Sequence, residues 1–112
     1  MNLNHKHLVQ EQFDTDTREL AELAKALGHP ARIMILRELL LRRVCVCGEI
    51  VEVLPLAQST VSQHLKALKE AGLISGTVEG VKSCYCVNPE ALKRLSKLLK
   101  PLFDWAENPN CC

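Results

Sequence analysis

The 112-residue chain is the size of a single domain, and its 47% hydrophobic and 24% charged residues belong to an ordinary globular protein, not a disordered or fibrous one. Its apolar runs are only a few residues long, which excludes a transmembrane helix. The opening Met1-Asn2-Leu3-Asn4-His5-Lys6-His7 lacks the apolar core of a secretion signal, so a cytosolic chain with reduced thiols is expected. The formal net charge of +1 hides a gradient: residues 1–28 carry three Lys/Arg against five Asp/Glu, and residues 29–100 carry eleven against six. Such a basic excess fits a nucleic-acid surface, and it fits a solvated face equally well.

Residues 1–14 are polar and unpatterned and read as a mobile arm, ahead of a domain over 15–107 and a Cys-terminated tail over 108–112. Asp16 followed by Glu19 predicts a capped helix start, and Leu20, Leu23, Ala24 and Leu27 supply its inner positions. Gly28-His29-Pro30 stops that helix and starts a second, with Ile33, Leu36 and Leu40 as the expected inward stripe. A short third helix is expected from about Cys47 to Leu54, closed by Pro55. A fourth runs from Gln58 to Ala71 with Val61, Leu65 and Leu68 inward, and Gly72 ends it as a left-handed cap.

A β-hairpin follows, with strands from Leu73 to Thr77 or Val78 and from Val81 to Val87 around Glu79-Gly80. Asn88-Pro89-Glu90 then opens a leucine-rich terminal helix that Pro101 should kink or end. Its Leu92, Leu95, Leu98, Leu99, Leu102 and Phe103 exceed what a small core covers. The spare surface predicts a homodimer seam shared between the first and last helices. The fold class is therefore mainly α with a β-hairpin wing, a homodimeric winged helix-turn-helix.

The stretch Gln58-Ser59-Thr60-Val61-Ser62-Gln63-His64-Leu65-Lys66 is the most informative. Gln58, Ser59, Thr60, Ser62, Gln63, His64 and Lys66 are its expected outward groups, suited to base edges and phosphates in a major groove, and Lys82 on the hairpin would reach a neighbouring phosphate. Three motifs in order carry a family resemblance: Leu27-Gly28-His29-Pro30-Ala31-Arg32-Ile33-Met34-Ile35-Leu36, Gln58 to Leu65, and Leu68-Lys69-Glu70-Ala71-Gly72-Leu73-Ile74. Together they resemble the ArsR/SmtB family of metal-responsive repressors over about residues 17–103. The resemblance implies a dimer that binds a pseudo-palindromic operator in double-stranded DNA and leaves it when an inducer binds. Ala57 stands where the family often carries a Ser cap, so Gln58 or Ser59 is expected to cap instead.

Six cysteines fall in three pairs, Cys45/Cys47, Cys84/Cys86 and Cys111/Cys112. In a cytosolic chain that builds its own core, such pairs point to metal or redox chemistry. Val44-Cys45-Val46-Cys47-Gly48-Glu49 resembles the Cys-Val-Cys signature of the family's arsenic, cadmium and lead sensors. A helix N-terminus would favour thiolate there, and thiolates select soft ions. The third cysteine of arsenite-sensing relatives is missing, because Ile50 occupies its position. Cys111 or Cys112 would then complete the site or form a separate dithiol. Cys84 and Cys86 share one strand face, opposite Tyr85 and Val87, and read either as ligands or a redox pair, or as neutral substitutions.

The expected inducer is trivalent arsenic or antimony, with cadmium, lead, a methylated arsenical or thiol oxidation as alternatives, and no cofactor is needed for DNA binding. Residues 88–107 contain no histidine, so the family's other site, of His, Asp and Glu on terminal helices, lacks its ligand set. No Ser-His-Asp set, phosphate loop or paired catalytic carboxylates are present, and a thiol-redox enzyme would need a Cys-x-x-Cys motif near a βαβ unit. A non-enzymatic regulator is expected, with no membrane partner.

Overall fold

A computed structural model describes residues 13–42, 46–47, 55–77 and 84–109. Four helices and three short strands are present among them: α1 (Thr15–Leu27), α2 (Pro30–Arg42), β1 (Val46–Cys47), α3 (Gln58–Glu70), β2 (Ile74–Thr77), β3 (Cys84–Val87) and α4 (Pro89–Glu107). No helix among the described residues is long and apolar enough to cross a membrane.

Helix α1 starts two residues earlier than its Asp16/Glu19 pattern predicts. Asp14 is the N-cap, and its carboxylate accepts the Thr17 N–H at 2.7 Å. The Thr17 hydroxyl, then this N–H bond and the Arg18 guanidinium, hold the Asp14 carboxyl below its ordinary value. Asp16 and Glu19 instead face α4, where Arg94 donates to both: 2.6 Å to Asp16, and 2.8 and 3.1 Å to Glu19. Asp16 was available to cap, but the cross-helix Arg94 claims it.

Helix α2 begins at Pro30 as expected, but its buried stripe is Ala31, Ile35, Leu36 and Leu39, while Ile33 and Leu40 are exposed. Of the expected stripe only Leu36 turns inward, because apolar residues lie on several sides of α2 and periodicity alone cannot choose its inward face. The core it joins contains Leu23, Ala26, Val61, Leu65, Leu68, Leu73, Ile74 and Tyr85.

Helix α3 ends in a Schellman motif: Leu73 N–H bonds the Leu68 carbonyl, Gly72 N–H bonds the Lys69 carbonyl, and Gly72 sits at φ 80°. Ala57 is the N-cap and its side chain makes no capping bond.

The sheet order is β1-β3-β2, both pairings antiparallel, so β3 is the central strand. Gly76 lies opposite Tyr85, and a Cβ there would collide with the Cys84 carbonyl and crowd the Tyr85 ring. Tyr85 is buried in the core, as its alternation with Cys84 and Cys86 predicts. Asn88 then fixes the start of α4. Its side chain accepts the Glu90 N–H and donates to the Gly72 carbonyl, and its backbone N–H reaches the Leu73 carbonyl. Helix α4 continues through Pro101 to Glu107 without ending there.

Cys47 belongs to β1 and does not open a helix. The rest of the expected third helix, 48–54, lies outside the described residues, as do the hairpin tip, the arm over 1–12 and the tail from 110.

Candidate functional site

Two features of this frame carry chemistry: the outer face of α3 and the cysteine-bearing strands. Val61, Leu65 and Leu68 clamp α3 onto the core, as their spacing requires. The opposite face exposes Gln58, Ser59, Ser62, Gln63 and Lys66, while Thr60 is half-buried. Ser62, Gln63, Lys66, Lys69 and Glu70 line one open concave surface on that side. A helix packed on one side and lined with amide, hydroxyl and ammonium groups on the other can be laid against a groove of stacked bases.

His64 departs from the expected outward set. It is 9% exposed and turned toward the core, where its Nδ1 accepts the Arg32 Nε–H at 3.2 Å. Arg32 also donates to the Ala26 carbonyl at 3.3 Å, and the His29 ring lies 4.3 Å from that of His64. His29 Nδ1 in turn accepts the Ala31 N–H at 3.0 Å, satisfying one of the orphan donors at the start of α2. This cluster joins the α1–α2 turn to the middle of α3. Burial, with the neighbouring His29 and Arg32, holds the His64 imidazole below its ordinary pKa. The signal was present in the spacing: position 64 is three after Val61 and four before Leu68, on the inner stripe. A polar residue type on an apolar stripe was read by its type instead of its position.

On the thiol strands, register sets Cys47 of β1 opposite Cys84 of β3, with Val46 opposite Tyr85. Cys84 and Cys86 are both half-buried and both disulfide-bonded. Cys45, Cys111, Cys112 and Lys82 lie outside the described residues. Among the described residues no group of three or more His, Cys, Asp or Glu is placed to hold a metal ion.

Residues 29–75 match the family described as bacterial regulatory protein, arsR family. An uncharacterized HTH-type transcriptional regulator of Methanocaldococcus jannaschii is 39% identical over 83 residues, spanning 73% of this chain and 92% of the relative. The chain belongs to the arsR family. It is accordingly a DNA-binding transcriptional repressor of winged helix-turn-helix fold, with no enzymatic step. The arsenical resistance operon repressor of Bacillus subtilis is 35% identical to this arsR-family chain over 97 residues, 85% of this chain and 91% of that one. A crystallised ArsR-family transcriptional regulator superposes with a TM-score of 0.70 over 84% of this chain and 96% of its own. At 19% identity it speaks to the fold alone.

Proposed function

We propose that this arsR-family repressor binds a pseudo-palindromic operator as a homodimer and leaves it when trivalent arsenic or antimony is held by its cysteine thiolates. The observation that carries the DNA half is the two-sided character of α3. In this reading Gln58, Ser59, Thr60, Ser62 and Gln63 meet base edges and phosphates, Lys66 meets phosphate, and Lys82 extends contact through the wing. Two-fold symmetry would set the paired recognition helices about 34–36 Å apart, one DNA turn.

Helices α1 and α4 form the dimer seam in this reading. Support comes from α4, which has no fully buried residue in the single chain and exposes Leu102, Phe103 and Trp105 by more than half. A second copy is the occupant that fits a helix so apolar in a repressor that reads a two-fold operator.

For the inducer, the donor chemistry is sulfur. A Cys-Val-Cys segment whose second cysteine is paired across to another cysteine-bearing strand suits a soft ion, and the arsenical resistance repressor of Bacillus subtilis supports arsenic. Cys45 and Cys47 carry the inducer, and a third thiolate completes a trigonal site. The bound ion would supply sulfur bonds that tie these strands together. The chain's part is to offer thiolates and to transmit their convergence to α3. A second reading, a thiol-redox switch, draws on the disulfides at Cys84 and Cys86.

A gel-shift assay with the promoter of its own gene, under a thiol reductant, tests both halves. Arsenite should release the shifted complex. Release by cadmium, lead or peroxide but not by arsenite would overturn the inducer, and absence of any shifted complex would overturn the operator reading.

A further inference from the structure

We propose that the hydrogen bond from Arg32 to His64 is a clamp that holds α3 at the angle from which it reads the operator, and that a second proton on His64 opens the clamp and weakens operator binding. The inference rests on the operator-reading role of α3 proposed above. It makes His64 and Arg32 positioning residues, acting from behind the helix.

Val61, Leu65 and Leu68 press α3 onto the core, but apolar burial is non-directional and does not by itself fix a helix in rotation. A hydrogen bond is directional, and the one at His64 ties three elements together through a single side chain. Arg32, in the first turn of α2, donates from Nε to His64 Nδ1 at 3.2 Å and from a terminal nitrogen to the Ala26 carbonyl of α1 at 3.3 Å. His29, in the turn between those helices, closes the cluster with its ring 4.3 Å from that of His64. Ser62, Gln63 and Lys66 lie within two residues of His64 and are exposed, so a tilt at His64 is passed directly to the groups proposed to meet DNA.

The bond exists only while Nδ1 carries a lone pair, which leaves the single proton of the neutral ring on Nε2. A second proton at Nδ1 turns the acceptor into a donor facing the Arg32 N–H, and sets an imidazolium against a guanidinium inside the fold. The surroundings offer it no compensation. Burial opposes the charge first, and then His29 and Arg32. Helix α1 brings Glu22 and Lys25, which with Arg32 and Glu70 of α3 line a cleft beside the cluster, and there the two carboxylates are matched by the two cations. Strand β2, also packed on α3, has no ionisable side chain. The proton is therefore taken up as the cluster opens.

The sign of the effect separates the clamp from ordinary electrostatics. A histidine that gains a proton beside a polyanion strengthens binding to any sequence, because phosphate attracts the new charge. Protonation of His64 should instead lower the preference for operator over random duplex. Linkage then requires the reciprocal effect: an operator that binds the clamped form makes His64 harder to protonate.

The test is fluorescence anisotropy on the reduced full chain at pH 7.5 and pH 5.5, with the promoter of its own gene and a random duplex as probes, and circular dichroism to show that the chain is folded at both. The wild type should lose roughly five- to tenfold of its operator preference on acidification. His64→Gln, whose amide oxygen still accepts from Arg32 and takes up no proton, should keep its preference at both pH values. No loss in the wild type, or an equal loss in the two proteins, would overturn the clamp and leave the operator reading standing. No operator preference at pH 7.5 would overturn both. If His64→Gln does not fold, the wild type decides alone. Followed by NMR, the His64 ring should titrate at lower pH with operator bound than without, and an unchanged or higher value sinks the clamp.

Discussion

Helices α2 and α3 are both thirteen residues long and pack on one another, yet only one of them announces its inner face. In α3 the apolar residues are few and confined to one stripe, so Val61, Leu65 and Leu68 could be assigned inward from spacing alone. In α2 the buried Ile35, Leu36 and Leu39 alternate with the exposed Ile33, Met34, Leu40 and Leu41, and hydrophobicity hardly distinguishes them. Segregation of residue types, not apolar content, makes a face legible. The helix proposed to meet DNA is segregated, while its supporting helix is not.

The contrast breaks most sharply in stability. Leu68 has no exposure, and Leu68→Ala should cost about 2–5 kcal/mol in chemical denaturation. Leu41 is 75% exposed, and Leu41→Ala should change stability by no more than about 0.5 kcal/mol. Comparable losses at the two sites would mean that the outer face of α2 is covered in the assembled protein.

The exposed side of α3 should respond in the opposite sense, through DNA and not stability. Gln63→Ala should cost about 1–3 kcal/mol of operator affinity, roughly 5- to 150-fold, if the amide reads a base edge. Lys66→Ala should weaken binding to all sequences alike and lower the salt slope by about one. Titration by fluorescence anisotropy at several salt concentrations separates the two. Loss at Gln63 that is equal for operator and random DNA would remove its base-reading role.

A third comparison isolates the backbone. At Gly72 an added Cβ meets nothing within 4 Å, so the φ of 80° is the only obstacle to a side chain. Gly72→Ala should therefore cost about 1–2 kcal/mol, the price of a left-handed residue, and leave affinity for operator little changed once folded. A neutral result by thermal denaturation would show that the turn relaxes.

How much of this could be read from residues alone follows the same logic. The Gly72 cap, the Asn88-Pro89-Glu90 start and the inward Tyr85 all rest on local chemistry, and the structure bears them out. The start of α1 was misread because Asp14 and Asp16 are both competent caps, and a contact 78 residues away at Arg94 occupies one of them. Cys47 was assigned to a helix because a Cys-Val-Cys segment carries no periodicity of its own, whereas its strand is made by pairing with β3. Cys47 and Cys84 share that difficulty: 37 positions apart, they become register partners only through the sheet.

His64 is where α3 departs from its own simple rule, and its effect should be the smallest and the most diagnostic. The ring accepts from Arg32 through Nδ1 with His29 alongside, so burial first, and then His29 and Arg32, disfavour a second proton. Its folded-state pKa is lowered, whereas the unfolded chain titrates at about 6.5. Between those two values the unfolded state binds more protons, so stability rises with pH across that interval. The contribution is complete above about pH 6.5 and is lost as pH falls toward the lower folded value. Denaturation at pH 7.5 and at pH 5.5 should therefore show the wild type weakening on acidification, with a shallower loss in His64→Gln. An amide at that position can still accept from Arg32 but cannot take up a proton, so equal pH dependence in the two proteins would move the titrating group elsewhere.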